Sequence, residues 1–435
     1  MLDEYVETVI IGAGQQGCGV AAALQMLGHE AIVLEKAEIG QAWAHERWDS
    51  LVVGSGNRSV RLPGWDYDGD DPGGFMPGRE VARHLRRYVA ERGLRVIEYT
   101  PVERVECAPE VTVRDEVRFS VRLANGHFIA ARNVVAAVGG YAKPRVPDVA
   151  FEISPTIHQL HSRYYRNPSV LPAGGVLVVG AGISGHEIAN ELAEAGREVY
   201  MSVGRHRPYP RTYRGRDMGE WMYIFGLFDD YVSSDSAAAH RNGAARIPGL
   251  PVIGVKDGVA ELNLGTLADK GVTLVGSVRE ARGGDLLLDD NVVTIATEAS
   301  RSFRAVLHRI DTGLRQRGFV APEPDRESGI NLANIGNFGR ELDLVGCGIT
   351  TVIWCTGFGP DYGILPSAAL DDGGMPRRTG IFGTIPGLYF AGLPDGSSLA
   401  PTAIAGTVEC GQGIARQIRV DHILRCEPSR SVIDV

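Results

Sequence analysis

Two glycine runs carry the residues whose type and spacing could do chemistry: Gly12, Gly14 and Gly17 in GAGQQG, and Gly180, Gly182 and Gly185 in GAGISG. Each is G-x-G-x-x-G. Glycine at these places lets the backbone turn tightly, approach a pyrophosphate and seat a helix whose N-terminus faces the phosphate. In the second run Ser184 adds a hydroxyl beside the last glycine. Glu35 lies 23 positions after Gly12, at the end of the next apolar segment and next to Lys36, where a carboxylate can accept ribose hydroxyls. The same count from Gly180 reaches Val203, and the chain continues as GRHRPYPRTYRGR from Gly204. With no carboxylate there, a 2′-phosphate meets no repulsion, and Arg205 or Arg207 can pair with it through two hydrogen bonds. The competing reading of that basic run is a solvated loop. Two dinucleotides are implied. FAD suits the acid-ending first run, and NADPH rather than NADH suits the second, so that hydride passes between them.

The elements that must position these residues are short buried strands and helices rich in small residues. Residues 9–11 and 31–34 read as strands around a helix containing Ala21, Ala22 and Ala23 and ending at Gly28. Residues 176–179 and 198–202 repeat the pattern around a helix ending at Gly196. The expected fold class is α/β, with two doubly wound, Rossmann-like dinucleotide-binding domains. Residues 99–105 and 119–123 read as an antiparallel excursion turned at Asn125 and Gly126. Residues 133–138 read as a buried strand ending at Gly139, and Pro144 and Pro147 mark a boundary near residue 150. The expected division is 1–150 for the first segment of the FAD domain and 151–330 for the NADPH domain. Residues 331–435 hold apolar strands at 350–355, closing on Thr356 and Gly357, and at 388–391, ending at Gly392. A small-residue helix follows from Thr402 to about Ile418. These pieces look too short to fold alone, so they are expected to return to the FAD domain and make it discontinuous.

Composition narrows the function classes. A chain of 435 residues suffices for two or three cores, and a net charge of −9 argues against nucleic acid as a partner. No apolar run reaches the roughly 18–20 residues that cross a bilayer, so no membrane is expected. The acidic start enters a strand at once, unlike a signal peptide, and a cytoplasmic protein is expected. The six cysteines form no Cys-x-x-Cys pair and no His cluster has zinc spacing, so no metal is expected. Trp221, Tyr223, Phe225 and Phe228 read as core or a homodimer contact ahead of a substrate wall.

In order along the chain, GAGQQG, WAHERWDSL, HSRYYRNP, GAGISG, PRTYRGRD and WCTGF resemble the class B flavin-dependent monooxygenases, which include the flavin-containing and Baeyer–Villiger enzymes. The resemblance covers most of the chain. It implies FAD at the first run, NADPH at the second, O2 as co-substrate, and attack on a small organic substrate by a C4a-(hydro)peroxyflavin. By matching position it implies Glu35, Gln41, Trp43 and Ser50 near FAD, Val102 beside the adenine, and Asn57 near the flavin ring and the nicotinamide. Gly139, Gly392 and Thr402 join the FAD set, and Thr356 and Gly357 the NADPH set. The chain departs from the family fingerprint F-x-G-x-x-x-H. Anchored on His161, the Phe and Gly positions hold Pro155 and Ile157; His161 and the following aromatic, Tyr165, match. His161 is thus expected to act through the interdomain linker. Three alternatives stay open: an NAD(P)H:FAD oxidoreductase that does not oxygenate, a disulfide reductase, and a redox-sensing flavoprotein.

Overall fold

A computed structural model of the chain describes residues 4–108, 117–227, 252–253, 261–324, 331, 333–335, 338–393 and 404–426. Its first sheet is built on Glu4–Ile11. Val9 and Ile10 are fully buried, as a strand covered on both faces requires. Ala31–Leu34, Val96–Ile97, Phe128–Ala136 and Leu388–Phe390 join it in parallel, in the spatial order 388–390, 128–136, 4–11, 31–34, 96–97. The helices Gln15–Met26, Gly78–Arg92 and Thr407–Cys426 share one core against it. The first and last approach closely: a Cβ on Gly411 would stand 2.9 Å from the Gly19 carbonyl oxygen.

The second sheet repeats the plan around Gly175–Val179. Its parallel order is Thr273–Val275, Val199–Ser202, Gly175–Val179, Ile349–Trp354, His158–His161. Helix Ile183–Glu194 packs behind it with Leu264–Asp269 and the start of Val292–Gln316.

This arrangement corrects three expectations. The strand expected to return to the first domain, Ile349–Trp354, lies between Gly175–Val179 and the edge strand His158–His161 of the second sheet, so the second domain runs past residue 330. Of the late pieces, Leu388–Phe390 pairs in the first sheet. An apolar run buried on both faces has no polar side to tell which sheet takes it. The turn at Asn125 and Gly126 joins Phe119–Leu123 to Phe128–Ala136, so the strand expected at 133 begins five residues earlier and the excursion is fused to the sheet. The last helix starts at Thr407, and Thr402 lies outside the described residues. The chain crosses between domains twice, and the crossings pair with each other: Lys143–Pro144 runs antiparallel to Phe358–Gly359.

Candidate active site

The two glycine turns have the same construction. Gly12 has φ +108° and a Cβ there would stand 2.5 Å from the Ala137 carbonyl oxygen; Gly180 has φ +117° and meets the Cys355 carbonyl oxygen at the same 2.5 Å. A Cβ on Gly17 would overlap the Gly12 oxygen, and one on Gly185 the Gly180 oxygen. Gly14 and Gly182, by contrast, face open space at the N-termini of Gln15–Met26 and Ile183–Glu194. Gly139 and Gly357 occupy matching places, two residues beyond Ala137 and Cys355, at φ +80° and +91°. The misassigned strand therefore carries Thr356 and Gly357 to the second turn, beside Gly180, Gly182, Ser184 and Gly185.

The flanks of the turns differ. At the first, Glu35 is buried; one carboxylate oxygen accepts the Ala13 N–H at 2.7 Å and the other the Ala37 N–H at 3.0 Å. Gly40 N–H donates to the Ala13 carbonyl at 3.0 Å and starts the helix Gln41–His45, and Trp43 Nε1 donates to Gln15 Oε1 at 2.9 Å. Gln41, Trp43 and Val102 are half-buried, while Lys36 and Ser50 are exposed. Gly392, at φ +78°, faces Gln16, whose Cγ would lie 2.9 Å from a Cβ.

At the second turn buried Val203 stands where Glu35 stands in the first. The contact to the turn comes instead from His206, whose Nδ1 donates to the Ala181 carbonyl at 3.2 Å. His206 stacks on His186 with ring centroids 4.4 Å apart, and His186 Nδ1 donates to the Gly182 carbonyl at 3.2 Å. Both Nε2 atoms are buried lone pairs without a hydrogen-bond partner. Burial pushes His206 down to about 4 and His186 well below its ordinary value, so the pair is neutral. Arg205, exposed, and Arg207, half-buried, flank His206.

Between the domains, His161 ends the edge strand of the second sheet. Its Nε2 donates to the Gly357 carbonyl at 3.0 Å and its Nδ1 accepts the Arg163 N–H at 3.2 Å, which sets the neutral Nε2–H tautomer. Burial, the main cause, lowers its pKa. His161 thus ties the edge strand of the second sheet to the second crossing at the matching glycine. The WAHERWDSL and HSRYYRNP segments are laced alongside: Arg163 pairs with Glu46 at 2.5 Å, Asn167 Nδ2 donates to Asp49 at 2.7 Å, and Arg166 donates to the His45 carbonyl at 2.7 Å. Tyr165 is buried, and its hydroxyl donates to Glu191 on the second-domain helix at 2.6 Å.

Asn57 is buried. Its Nδ2 donates to the Asp71 carbonyl at 2.8 Å, and its Oδ1 has no partner. Nearby, the fully buried Arg211 donates to the Gly54 carbonyl at 2.9 Å, pairs with Asp217, and lies 4.8 Å over the Phe75 ring. Arg58 and Glu220 form a second bridge at 3.3 Å. Segments 54–60 and 209–225 therefore meet. Within the aromatic run Trp221 is core, donating to the Tyr213 carbonyl at 2.7 Å, whereas Tyr223 is exposed and donates to Glu409 at 3.3 Å. Phe228 lies outside the described residues.

Sequence reasoning missed His186, His206 and Arg211. The only available signal was a His within an Arg-rich run; neither the stacking nor the burial of a cation has a local signature. Dithiol chemistry finds no support in the thiols: none of the six cysteines is in a disulfide, burial and then Glu35 push Cys18 up to about 12, and burial raises Cys355 as well.

Known proteins place this arrangement. The sequence profile described as "Pyridine nucleotide-disulphide oxidoreductase" matches residues 9–213. An uncharacterized CzcO-like oxidoreductase from Geobacillus kaustophilus is 29% identical over 396 residues, covering 90% of this chain and 92% of its own. Rice indole-3-pyruvate monooxygenase YUCCA1 is 32% identical over 197 residues, covering 45% of this chain and 47% of its own. The chain is a flavin-dependent oxidoreductase similar to the flavin monooxygenases, and it spans about half the length of the plant monooxygenase it matches. Among solved structures, the flavin-containing monooxygenase from Stenotrophomonas maltophilia superposes with a TM-score of 0.62 at 22% identity, covering 96% of this chain and 99% of that one. A complex of OTEMO with FAD and NADP does so at 0.53 and 15% identity, covering 97% and 86%. At those identities the likeness is one of fold. Among the described residues no helix is long and apolar enough to cross a membrane.

Proposed function

We propose that the chain is a class B flavin monooxygenase that uses NADPH and O2 to oxygenate a small organic substrate. The observation that carries the reading is the pair of matching glycine cradles with unlike flanks: a buried carboxylate at the first and arginines at the second. The residues present fit both dinucleotides. Gly14 and Gly182 leave space where helix N–H groups can take a pyrophosphate. Gly12, Gly14, Gly17, Glu35, Gln41, Trp43, Gly139 and Gly392 would hold FAD, with Lys36, Ser50 and Val102 at its periphery. Gly180, Gly182, Ser184, Gly185, Thr356 and Gly357 would hold NADPH, with Arg205 or Arg207 on its 2′-phosphate. When bound, FAD supplies the electron transfer from nicotinamide to O2 that oxygenation needs.

The chain's own residues supply position and exclusion. Asn57 Oδ1 offers a buried acceptor, fixed by its Nδ2 bond to Asp71, to a donor on flavin, nicotinamide or substrate. Arg211 holds segments 54–60 and 209–217 together as one wall of the substrate space. His161, bonded to Gly357, sets the approach of the two domains as a positioning residue. The test is stopped-flow absorbance after anaerobic reduction with NADPH and mixing with O2. A lasting near-ultraviolet species distinct from oxidised and reduced flavin supports the reading. Direct reoxidation with stoichiometric peroxide overturns it in favour of an NAD(P)H oxidase, the outcome that Pro155 and Ile157 in the fingerprint would suit.

A further inference from the structure

The geometry points to a divalent-metal site of zinc-type chemistry formed by Glu7, His29 and His422, at the end of the first domain opposite its glycine turn. Glu7 is on the opening strand, His29 follows the first helix, and His422 is near the end of the last helix. His422 Nδ1 lies 3.0 Å from Glu7 Oε1 and His29 Nδ1 lies 3.5 Å from Glu7 Oε2, and the ligand atoms of all three residues fall within 4.8 Å of one another. A tetrahedral ion with ligands at about 2.0–2.1 Å needs ligand atoms roughly 3.3 Å apart, close to the two His-to-carboxylate distances here, with all three ligand atoms inside 4.8 Å. Two imidazoles and a carboxylate are the donor set that zinc and its neighbours take, leaving a fourth position for water.

A second observation shows that the place wants a cation. Arg425 Nη2 lies 2.8 Å from His422 Nδ1 and 3.4 Å from Glu7 Oε1. A guanidinium only donates, so toward it the imidazole nitrogen presents a lone pair, whereas toward Glu7 Oε1 the same nitrogen donates in the other tautomer. That nitrogen and a carboxylate oxygen are held 3.0 Å apart with a positive group at their junction. In the tautomer with its lone pair on Nδ1, His422 carries the ring's proton on Nε2, 3.6 Å from Cys426 Sγ, as a metal-ligating His requires. Arg425 is poorly settled in this role, because its Nε is buried with no hydrogen-bond partner. A metal ion would displace the guanidinium and take over its charge. The three ligands come from positions 7, 29 and 422, so no sequence spacing announces them. Bound metal would clamp the returning helix Thr407–Cys426 onto the first segment of the domain, independently of the chemistry at the nucleotide turns.

The flavin-loaded protein, stripped with chelator, is titrated with ZnCl2 by calorimetry and by thermal melting. CoCl2 is added in parallel for ligand-field bands to the red of the flavin absorption. One equivalent of Zn2+ should bind and raise Tm. Glu7→Gln, His29→Gln and His422→Gln should each weaken binding at least about tenfold at unchanged flavin content, and Arg425→Ala should tighten it by about tenfold, because its competing charge is gone. Wild-type protein that takes up no Zn2+ at ~100 μM, or equal uptake by the wild type and the His29→Gln/His422→Gln double variant, overturns the site.

Discussion

The two glycine turns share a strand, a helix and three glycines with the same backbone contacts, yet the residue after their second strands could hardly differ more. In the first fold Glu35 grips the Ala13 N–H; in the second, His206 grips the Ala181 carbonyl, and Val203 fills the acid's place. The same loop atom pair is thus anchored once through its donor with an anion and once through its acceptor with a neutral ring. Gly12, Gly17, Gly180 and Gly185 are dictated by backbone geometry, whereas Gly14 and Gly182 face open space. The flank is free to diverge.

That comparison breaks most visibly at Gly17 and Gly185. A Cβ at either would overlap a carbonyl oxygen of its own turn, so alanine should cost on the order of 3 kcal/mol or more. Gly17→Ala is expected to purify without flavin. Gly185→Ala is expected to keep its 450-nm absorbance while losing reduction by NADPH, and equal loss of flavin from both would contradict separate sites.

Next in size is the charged flank. The Arg205→Ala/Arg207→Ala double variant should raise KM for NADPH by about 100-fold, about 2.7 kcal/mol, and change KM for NADH by less than about threefold. A matched rise for both nucleotides would make the run a solvated loop.

The anchors should separate in their response to acid. The folded pKa of His206 is depressed from 6.5 to about 4, so the folded ring refuses a proton that the unfolded chain takes up. Its contribution, about 3 kcal/mol, is fully present above pH 6.5 and is lost as pH falls toward 4. Glu187, on the helix Ile183–Glu194 beside His186, acts in the opposite sense, since burial and then Glu191 raise it from 4.5 to about 8, so its cost grows as pH rises between those values. The difference in Tm between wild type and His206→Gln, followed from pH 7 to 4, isolates the imidazole. It should shrink steadily with acid, and a constant difference would deny His206 this role.

The smallest effect is the sharpest. Gly14 and Gly182 have φ of −77° and −85°, and a Cβ at either meets nothing within 4 Å. Alanine there should leave the melting of nucleotide-free protein within about 0.5 kcal/mol of wild type while weakening FAD and NADPH respectively by about tenfold. Unchanged affinity would mean that neither cradle holds a pyrophosphate.

Much of this was legible along the chain. Two buried strands, each followed by G-x-G-x-x-G, a small-residue helix and another strand, are local patterns, and the folds they announce are present. The outermost connections were not legible. Residues 350–355 look the same whichever sheet buries them, because a strand covered on both faces shows no alternation, and the pairing that decides comes from over 150 residues away. The stacked His186 and His206, the buried Arg211 and the Glu7, His29 and His422 cluster escaped for the same reason: each brings together residues that no short window contains.

By itself the sequence determined where the backbone must pass through left-handed or Cβ-free positions, and hence where two nucleotide cradles could form, since those demands are set within about 30 residues. Only the tertiary structure decided which strand completes each sheet, which side chains anchor each turn, and how His161 bonds to the second crossing at Gly357. Those outcomes depend on burial and on contacts across the domains, which are settled when the sheets close.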